Sequence, residues 1–378
     1  MYKFIQITVA LFTLTFFQFA LAEISPPPNL AVNAYVLKDF NSGSIIASYK
    51  ENERVEPASL TKIMTAYLAF EAIQSRHLKL NQSIPVSEKA WKAEGSKMFI
   101  EPNKPVTLDE LLHGLIIQSG NDAAIAIAEA IAGSEEQFAI LMNKKAASFG
   151  MKNTHFMNAT GLPDENHYTT AADLSILATA LIRDFPLEYK RLYSVKEYTY
   201  NKITQPNRNR LLWLDPNVDG MKTGHTDSAG YCLISSAKRE NTRLISIILG
   251  AVSESSRAIE SQKLLNYGFQ FYETTLVYHK LQPINAIRVW KGSEKKVSAT
   301  VANDVYFALP KGDYARVKAS MISKEPLIAP IEANQVIGKI VFTLDGKVLS
   351  EQKLIAAKNI SVGGFFSRMI DTLKLMLQ

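Results

Sequence analysis

The chain has 378 residues, 47% of them hydrophobic, with a formal net charge of +6 and a single cysteine. One cysteine excludes an internal disulfide framework and a cysteine-based metal site. Its lysines and arginines are scattered, neither massed in blocks nor interleaved with aromatics, which argues against nucleic-acid binding and leaves attraction to an anionic surface open.

In chain order, Met1–Ala22 comes first, with Lys3, an apolar run from Ile5 to Phe19 and the small-residue ending Ala20-Leu21-Ala22. That is the pattern of a cleavable export signal, and its apolar run is shorter than the roughly 20 residues a comfortable membrane span needs. The remainder is long enough for about two domains. After a rigid Pro26-Pro27-Pro28 leader, helical periods and strand-like runs alternate from Ala31 to about Phe271. Helices are predicted over Leu60–Ile73 and Leu108–Ile117, the second opened by a Thr107-x-x-Glu110 capping box. Strands are predicted in "NAYVLKDFNSGSIIASYK", "VDGMKTGHTDSAGYCLISSAK" and "TRLISIILGAV", with Cys232 as a small core residue. The mixture implies an antiparallel sheet with helices packed on it, an α/β (α+β) fold.

From about Leu281 to Lys358 short β-rich runs take over, and Asp345-Gly346 between two of them signals a hairpin. The last segment, "GGFFSRMIDTLKLMLQ", places Phe365, Phe366, Met369, Ile370, Leu373, Met376 and Leu377 on one helical face, opposite Ser367, Arg368, Asp371 and Lys374. Such a helix either docks on its own domain or lies in a membrane interface; the export signal and the loose Gly-Gly junction favour the membrane. The expected domains are a signal peptide (1–22), a catalytic unit (23–275), an all-β unit (276–360) and an amphipathic helix (361–378).

Ser59 and Lys62 head the first predicted helix. Residues three apart share a face, so the lysine amine lies beside the serine hydroxyl. The spacing alone is weak, because Ser235/Lys238, Ser293/Lys296 and Ser350/Lys353 repeat it. Only the Ser59 copy begins a helical apolar run. Further on, Ser119-Gly120-Asn121 interrupts an apolar helix, which marks either a site or a joint with Gly120 as C-cap and Asn121 or Asp122 as the next N-cap. Lys222-Thr223-Gly224 lies on a predicted strand, where Gly224 suggests a close approach to the backbone.

Ser-x-x-Lys, Ser-x-Asn and Lys-Thr-Gly, in this order, together with "VDGMKTGHTDSAGY", "IQSGNDAAIAIAE", "MKNTHF" and the terminal "GGFFSRMIDTLKLML", resemble the low-molecular-mass penicillin-binding proteins that act as D-alanyl-D-alanine carboxypeptidases. The resemblance implies a penicillin-binding/β-lactamase-like catalytic domain, a small all-β domain and a C-terminal anchoring helix. It also implies a hydrolase of peptidoglycan pentapeptides that β-lactams inhibit, without cofactor or metal, in the periplasm on the outer face of the inner membrane.

The implied roles follow from the chemistry. Ser59 is the nucleophile, and neutral Lys62 is its base, its pKa lowered by desolvation and by a nearby cation, for which Lys222 is the candidate. Ser119 relays a proton to the leaving amine, and Asn121 holds Lys62 and the substrate amide. Thr223 and Lys222 bind the terminal carboxylate, with Arg243 either a further carboxylate partner or a solvated strand end. The oxyanion meets the backbone N–H groups of Ser59 and His225.

The six histidines, His77, His113, His155, His167, His225 and His279, accompany neither a Gly-x-Ser-x-Gly elbow nor a His-Glu-x-x-His motif. A serine β-lactamase is the rival enzyme, but no Glu-x-x-Leu-Asn lies between Ser119 and Lys222. The other alternative is a non-catalytic peptidoglycan-binding scaffold, against which the complete motif set argues. Thr160 stands where some close relatives carry a histidine, and so bears on the deacylation route.

Overall fold

Residues that alternate between two apolar environments build the central sheet of the computed structural model, which describes residues 25–377. The expected export signal lies outside the described residues. Strands β1 (Ala34–Asp39), β2 (Ile45–Tyr49), β3 (Val218–Thr226), β4 (Gly230–Arg239) and β5 (Thr242–Ala251) form an antiparallel sheet of order β2-β1-β5-β4-β3. Successive side chains point to opposite faces. Val36, Cys232, Ile234, Ile245 and Ile247 therefore enter one core, while Leu37, Leu233, Leu244 and Ile248 enter another.

The first core is shared with helices α1 (Lys62–Gln74), α2 (Leu108–His113), α3 (Asn121–Ala132), α4 (Glu135–Ser148) and α5 (Ala171–Asp184). The second is closed by α6 (Glu254–Phe271), through Leu264 and Leu265. Every residue of α1 from Lys62 to Phe70 is buried, so its lysine starts from a low-dielectric position.

Directly after α6, β6 (Tyr272–Tyr278) spans the expected division at residues 275–276 and pairs with β9 (Val305–Pro310). A second five-stranded antiparallel sheet has the order β7-β8-β12-β11-β10, from β7 (Asn285–Arg288), β8 (Lys296–Val301), β10 (Val317–Ser323), β11 (Val336–Leu344) and β12 (Lys347–Ala356). Its core holds Val297, Phe307, Ile337, Phe342 and Leu354. The predicted hairpin is present: Leu344 faces Lys347 across Asp345 and Gly346, both at positive φ, as a two-residue turn that matches the strand twist requires.

The last element is α7 (Phe365–Met376). Its apolar face points outward, with Phe366 74% and Met376 77% exposed. On the polar side, the Asp371 carboxylate accepts the Lys291 backbone N–H at 2.7 Å. A polar contact thus ties the helix to the all-β unit, while the large side chains of its apolar stripe remain 47–87% exposed. No helix among the described residues is long and apolar enough to cross a membrane.

Candidate active site

Ser59 sits in a 3₁₀ turn, Ala58–Thr61, that runs into α1. Positions three apart eclipse in such a turn, and the Lys62 Nζ lies 3.0 Å from the Ser59 Oγ. The turn is held in an unusual shape, because Ala58, just before the serine, has φ +47°. Gly161, at φ +83°, packs against it so closely that a Cβ there would lie 1.8 Å from the Ala58 carbonyl oxygen. Strained backbone beside a reactive group persists only where its surroundings impose it.

The middle motif is shaped by a change of helical pitch. The capping box at Thr107 and Glu110 is formed, but α2 stops at His113 and continues as a π-helical turn, Gly114–Gln118. The turn ends on Ser119, whose own φ is +59°. The C-cap expected at Gly120 is therefore taken by Ser119, and Gly120, at φ −59°, caps α3 instead. Gly120 is small for a packing reason, since a Cβ there would meet the Asp122 Oδ1 at 2.7 Å and the Met98 nitrogen at 3.1 Å. Buried Asp122 accepts the backbone N–H groups of Met98, Phe99 and Ile100, which fixes the loop over the site.

These elements bring Ser59, Lys62, Ser119, Asn121 and Lys222 together. Lys62 Nζ donates to Ser59 Oγ, to Asn121 Oδ1 at 2.6 Å and to the Thr160 carbonyl at 2.6 Å. Asn121 is oriented in turn by its Nδ2 donating to the Glu94 carbonyl at 2.6 Å. Lys222, on β3, donates to Ser119 Oγ at 2.8 Å and to the Thr223 carbonyl at 2.9 Å. Thr160 thus meets the site through its main chain, while its hydroxyl donates to Asn158 at 3.0 Å.

Burial, reinforced by the charge of Arg208, pushes Lys62 down to about 7, against the opposing pull of Asp122 and Glu135. Lys222 is pushed well below its ordinary value by burial, then by the charges of Lys62, Arg208 and Arg257. Of the two expected causes, desolvation leads the Lys62 shift, and the cation that adds to it is Arg208 in place of the expected Lys222. The two amines form a coupled buried pair that does not accept two charges near neutrality. Three acceptors surround Lys62, matching the three donors of an ammonium, and loss of one proton frees a lone pair beside Ser59.

A cavity of about 330 Å³ opens over Ser59, lined also by Ser119, Thr223, Gly224, His225 and Arg257. The close approach expected at Gly224 comes from the protein's own backbone and side chains: a Cβ there would lie 3.2 Å from Ala58, Leu60 and Pro57. His225 lies on the cavity wall, tilted against Tyr231 with ring centroids 4.0 Å apart.

Arg243 is not brought to this cavity. Asp219 ion-pairs it at 2.7 Å, Ser236 accepts its N–H at 2.6 Å, and it lines a separate hollow with Phe40 and Thr274. The arginines at the site are Arg257 and Arg208, which sequence reasoning missed. Arg257 is 5% exposed, donates to the Gly224 carbonyl at 3.3 Å and has Glu254 only at 3.8 Å. No motif surrounds it in "SESSRAIESQ". Among the described residues, no group of three or more His, Cys, Asp or Glu side chains gathers to hold a metal.

Known proteins resemble this chain in both sequence and fold. Residues 22–253 match the family described as D-alanyl-D-alanine carboxypeptidase, and residues 272–361 match the C-terminal domain of penicillin-binding protein 5. The chain is 42% identical over 361 residues to D-alanyl-D-alanine carboxypeptidase DacC of Escherichia coli, covering 93% of this chain and 90% of that one. Penicillin-binding protein 5 of Haemophilus influenzae superposes with a TM-score of 0.86 at 41% identity, covering 89% of this chain and 99% of that structure. Penicillin-binding protein D2 of Listeria monocytogenes, in an ampicillin-bound form, superposes with a TM-score of 0.60 at 30% identity, over 65% of this chain and all of that structure.

Proposed function

The chain belongs to the D-alanyl-D-alanine carboxypeptidase family, and on that premise we propose that it removes the terminal D-alanine from peptidoglycan stem pentapeptides through an acyl-enzyme on Ser59. The observation that carries this reading is the 3.0 Å contact between Ser59 and a lysine whose burial brings it to about 7. A serine hydroxyl attacks a carbonyl only when a base takes its proton, and Lys62 is neutral at the pH where that is needed.

The steps follow from the contacts. Neutral Lys62 accepts the Ser59 proton as Oγ attacks, and the backbone N–H groups of Ser59 and His225 receive the oxyanion. The proton that Lys62 takes from Ser59 passes on to the leaving amine by way of the Ser119 hydroxyl, which Lys222 holds in place. The terminal carboxylate is met by the Thr223 hydroxyl and by the guanidinium of Arg257, which line the cavity over Ser59 together. Water then hydrolyses the ester, with Lys62 again the base bonded to the reacting oxygen. A β-lactam enters the same first step and stays attached.

Residues 23–275 carry the chemistry, 276–360 act as a spacer, and 361–378 hold the protein to the outer face of the inner membrane in the periplasm. The outward apolar stripe of α7 supports that anchoring, because seven large side chains without a protein partner gain most from the lipid interface.

Intact-protein mass spectrometry after brief exposure to benzylpenicillin should give one adduct that maps to Ser59 and vanishes in Ser59→Ala. An adduct that persists in that variant contradicts the reading. Deleting residues 364–378 should release the protein from anionic vesicles without slowing D-alanine release from a soluble peptide. A deletion variant that still sediments with the vesicles refutes the anchor.

A further inference from the structure

The two N–H groups assigned to the oxyanion come from different parts of the chain, Ser59 from the turn before α1 and His225 from the end of β3. Such a pair works only while both donors keep their distance to the developing charge. The two sides are not held equally. On the Ser59 side, Val55 exchanges two backbone hydrogen bonds with Thr169, each 2.9 Å, and Pro57 and Ala58 are buried. On the other side β3 packs on the turn at Gly224, but beyond it His225, Asp227 and Ser228 are exposed. An exposed hairpin tip opens readily unless something ties it down.

Glu56 makes that tie. Its Oε2 accepts the Ser228 hydroxyl at 2.6 Å and the Thr226 hydroxyl at 3.1 Å. The Thr226 oxygen in turn accepts the Ala229 N–H at 3.0 Å, which leaves its own proton free to point at the carboxylate. Hydrogen bonds to a carboxylate are roughly twice as strong as those between neutral groups. Glu56 stands three residues before Ser59, and Thr226 directly follows His225. One carboxylate therefore bridges the two segments that carry the donors.

We infer that Glu56 is a positioning residue for acylation: its carboxylate pins the Thr226–Ser228 tip to the Ser59 turn and so sets the spacing between the Ser59 and His225 N–H groups. The inference rests on the carboxypeptidase reading and adds to it a residue that does not line the cavity. Glu56→Gln keeps an oxygen able to accept both hydroxyls, whereas Glu56→Ala unties the tip.

An ester substrate ending in D-alanyl-D-lactate and its thionoester analogue decide it. In the analogue, sulfur replaces the oxygen that becomes the oxyanion, and sulfur is a weak acceptor of N–H donors. Glu56→Ala should lower kcat/KM for the ester roughly 10- to 100-fold, the range for misplaced donors, and for the thionoester by less than about threefold. Glu56→Gln should keep the ester within about threefold of the wild type. Thr226→Val, which removes a hydroxyl from the far side of the bridge, should depress the ester more than the thionoester, and it carries the comparison if Glu56→Ala does not fold. Parallel losses on the two substrates would mean that Glu56 serves stability alone, and they overturn the inference. So does a Glu56→Ala enzyme as fast as the wild type, or a Glu56→Gln enzyme as slow as Glu56→Ala. Those results leave D-alanine release by the wild type intact; a wild type that releases none from a peptide and cleaves neither ester fails the carboxypeptidase reading, and this inference with it.

Discussion

The catalytic cavity and the all-β unit handle charge and backbone in opposite ways. In the cavity, Lys62 and Lys222 are buried against neutral oxygens, with no carboxylate among the described residues bonded to either. In the all-β unit the lysines sit in solvent beside acids, as Lys339 does with Glu351 and Lys358 with Glu294. Left-handed backbone occurs in both regions but serves different ends. Ala58 and Ser119 adopt it next to reacting hydroxyls, whereas Asp345 and Gly346 adopt it in a hairpin that any two-stranded ribbon uses. The same features cost stability where they serve chemistry and cost little where they serve the fold.

Removing the buried amine should have the largest effect. Lys62→Met, which keeps length and loses the base, should slow both D-alanine release and penicilloyl formation by roughly 10²–10⁴-fold, the span of a lost general base. Rates that fall by less than tenfold place the base elsewhere.

Two glycines with nearly equal φ sharpen the contrast. Gly161 at +83° has the Ala58 carbonyl where a Cβ would go, and Gly346 at +81° has nothing within 4 Å. Gly161→Ala should cost roughly 2–5 kcal/mol, from strain and overpacking together, and Gly346→Ala about 1 kcal/mol, from strain alone. Urea unfolding of both variants measures the gap, and equal costs would break the comparison.

His167 offers a smaller, pH-dependent effect. It is buried 3.0 Å from the Thr61 hydroxyl, between Ser59 and Lys62 in sequence, and burial holds it down at about 4. Asp164 and Glu56 act to raise it and His155 to lower it further. Above its unfolded value of about 6.5 neither state binds the proton, so nothing is lost. As pH falls from 6.5 to 4 the unfolded state takes the proton first, and stability should drop by about 2–3 kcal/mol, with no further loss below 4. His167→Gln should flatten this limb; an unchanged slope assigns it to other groups. Smallest of all, Lys339→Ala should change stability by less than about 1 kcal/mol, because the pair it breaks is exposed. A larger loss would mean that the all-β unit depends on its surface charges.

Much of this was legible in the sequence, and for local reasons. Alternating residues placed the strands, Asp345-Gly346 fixed a hairpin, and the one-sided stripe of α7 stood out because nothing else competes with it. Ser59 and Lys62 declared themselves by sharing a turn, and Ser119, Asn121 and Lys222 by short motifs. Features set by residues far apart in sequence were not legible. Arg257 reaches the cavity only because α6 closes over the sheet, and Arg243 looked available only because Asp219, on another strand, could not be seen beside it. The sequence offers Gly120 as a possible C-cap, since glycine usually takes the left-handed role; the π turn that gives it to Ser119 leaves no local signature.

The central claim is that burial makes Lys62 the base for Ser59 near neutral pH. The rate of Ser59 acylation by benzylpenicillin, followed from pH 5 to pH 10, tests it most directly. A neutral base of pKa about 7 predicts a plateau above that value and a loss approaching tenfold per pH unit below it, with the midpoint belonging to the coupled lysine pair. A rate that stays level down to pH 5, or one that keeps rising toward the ordinary lysine range near 10, would contradict the account.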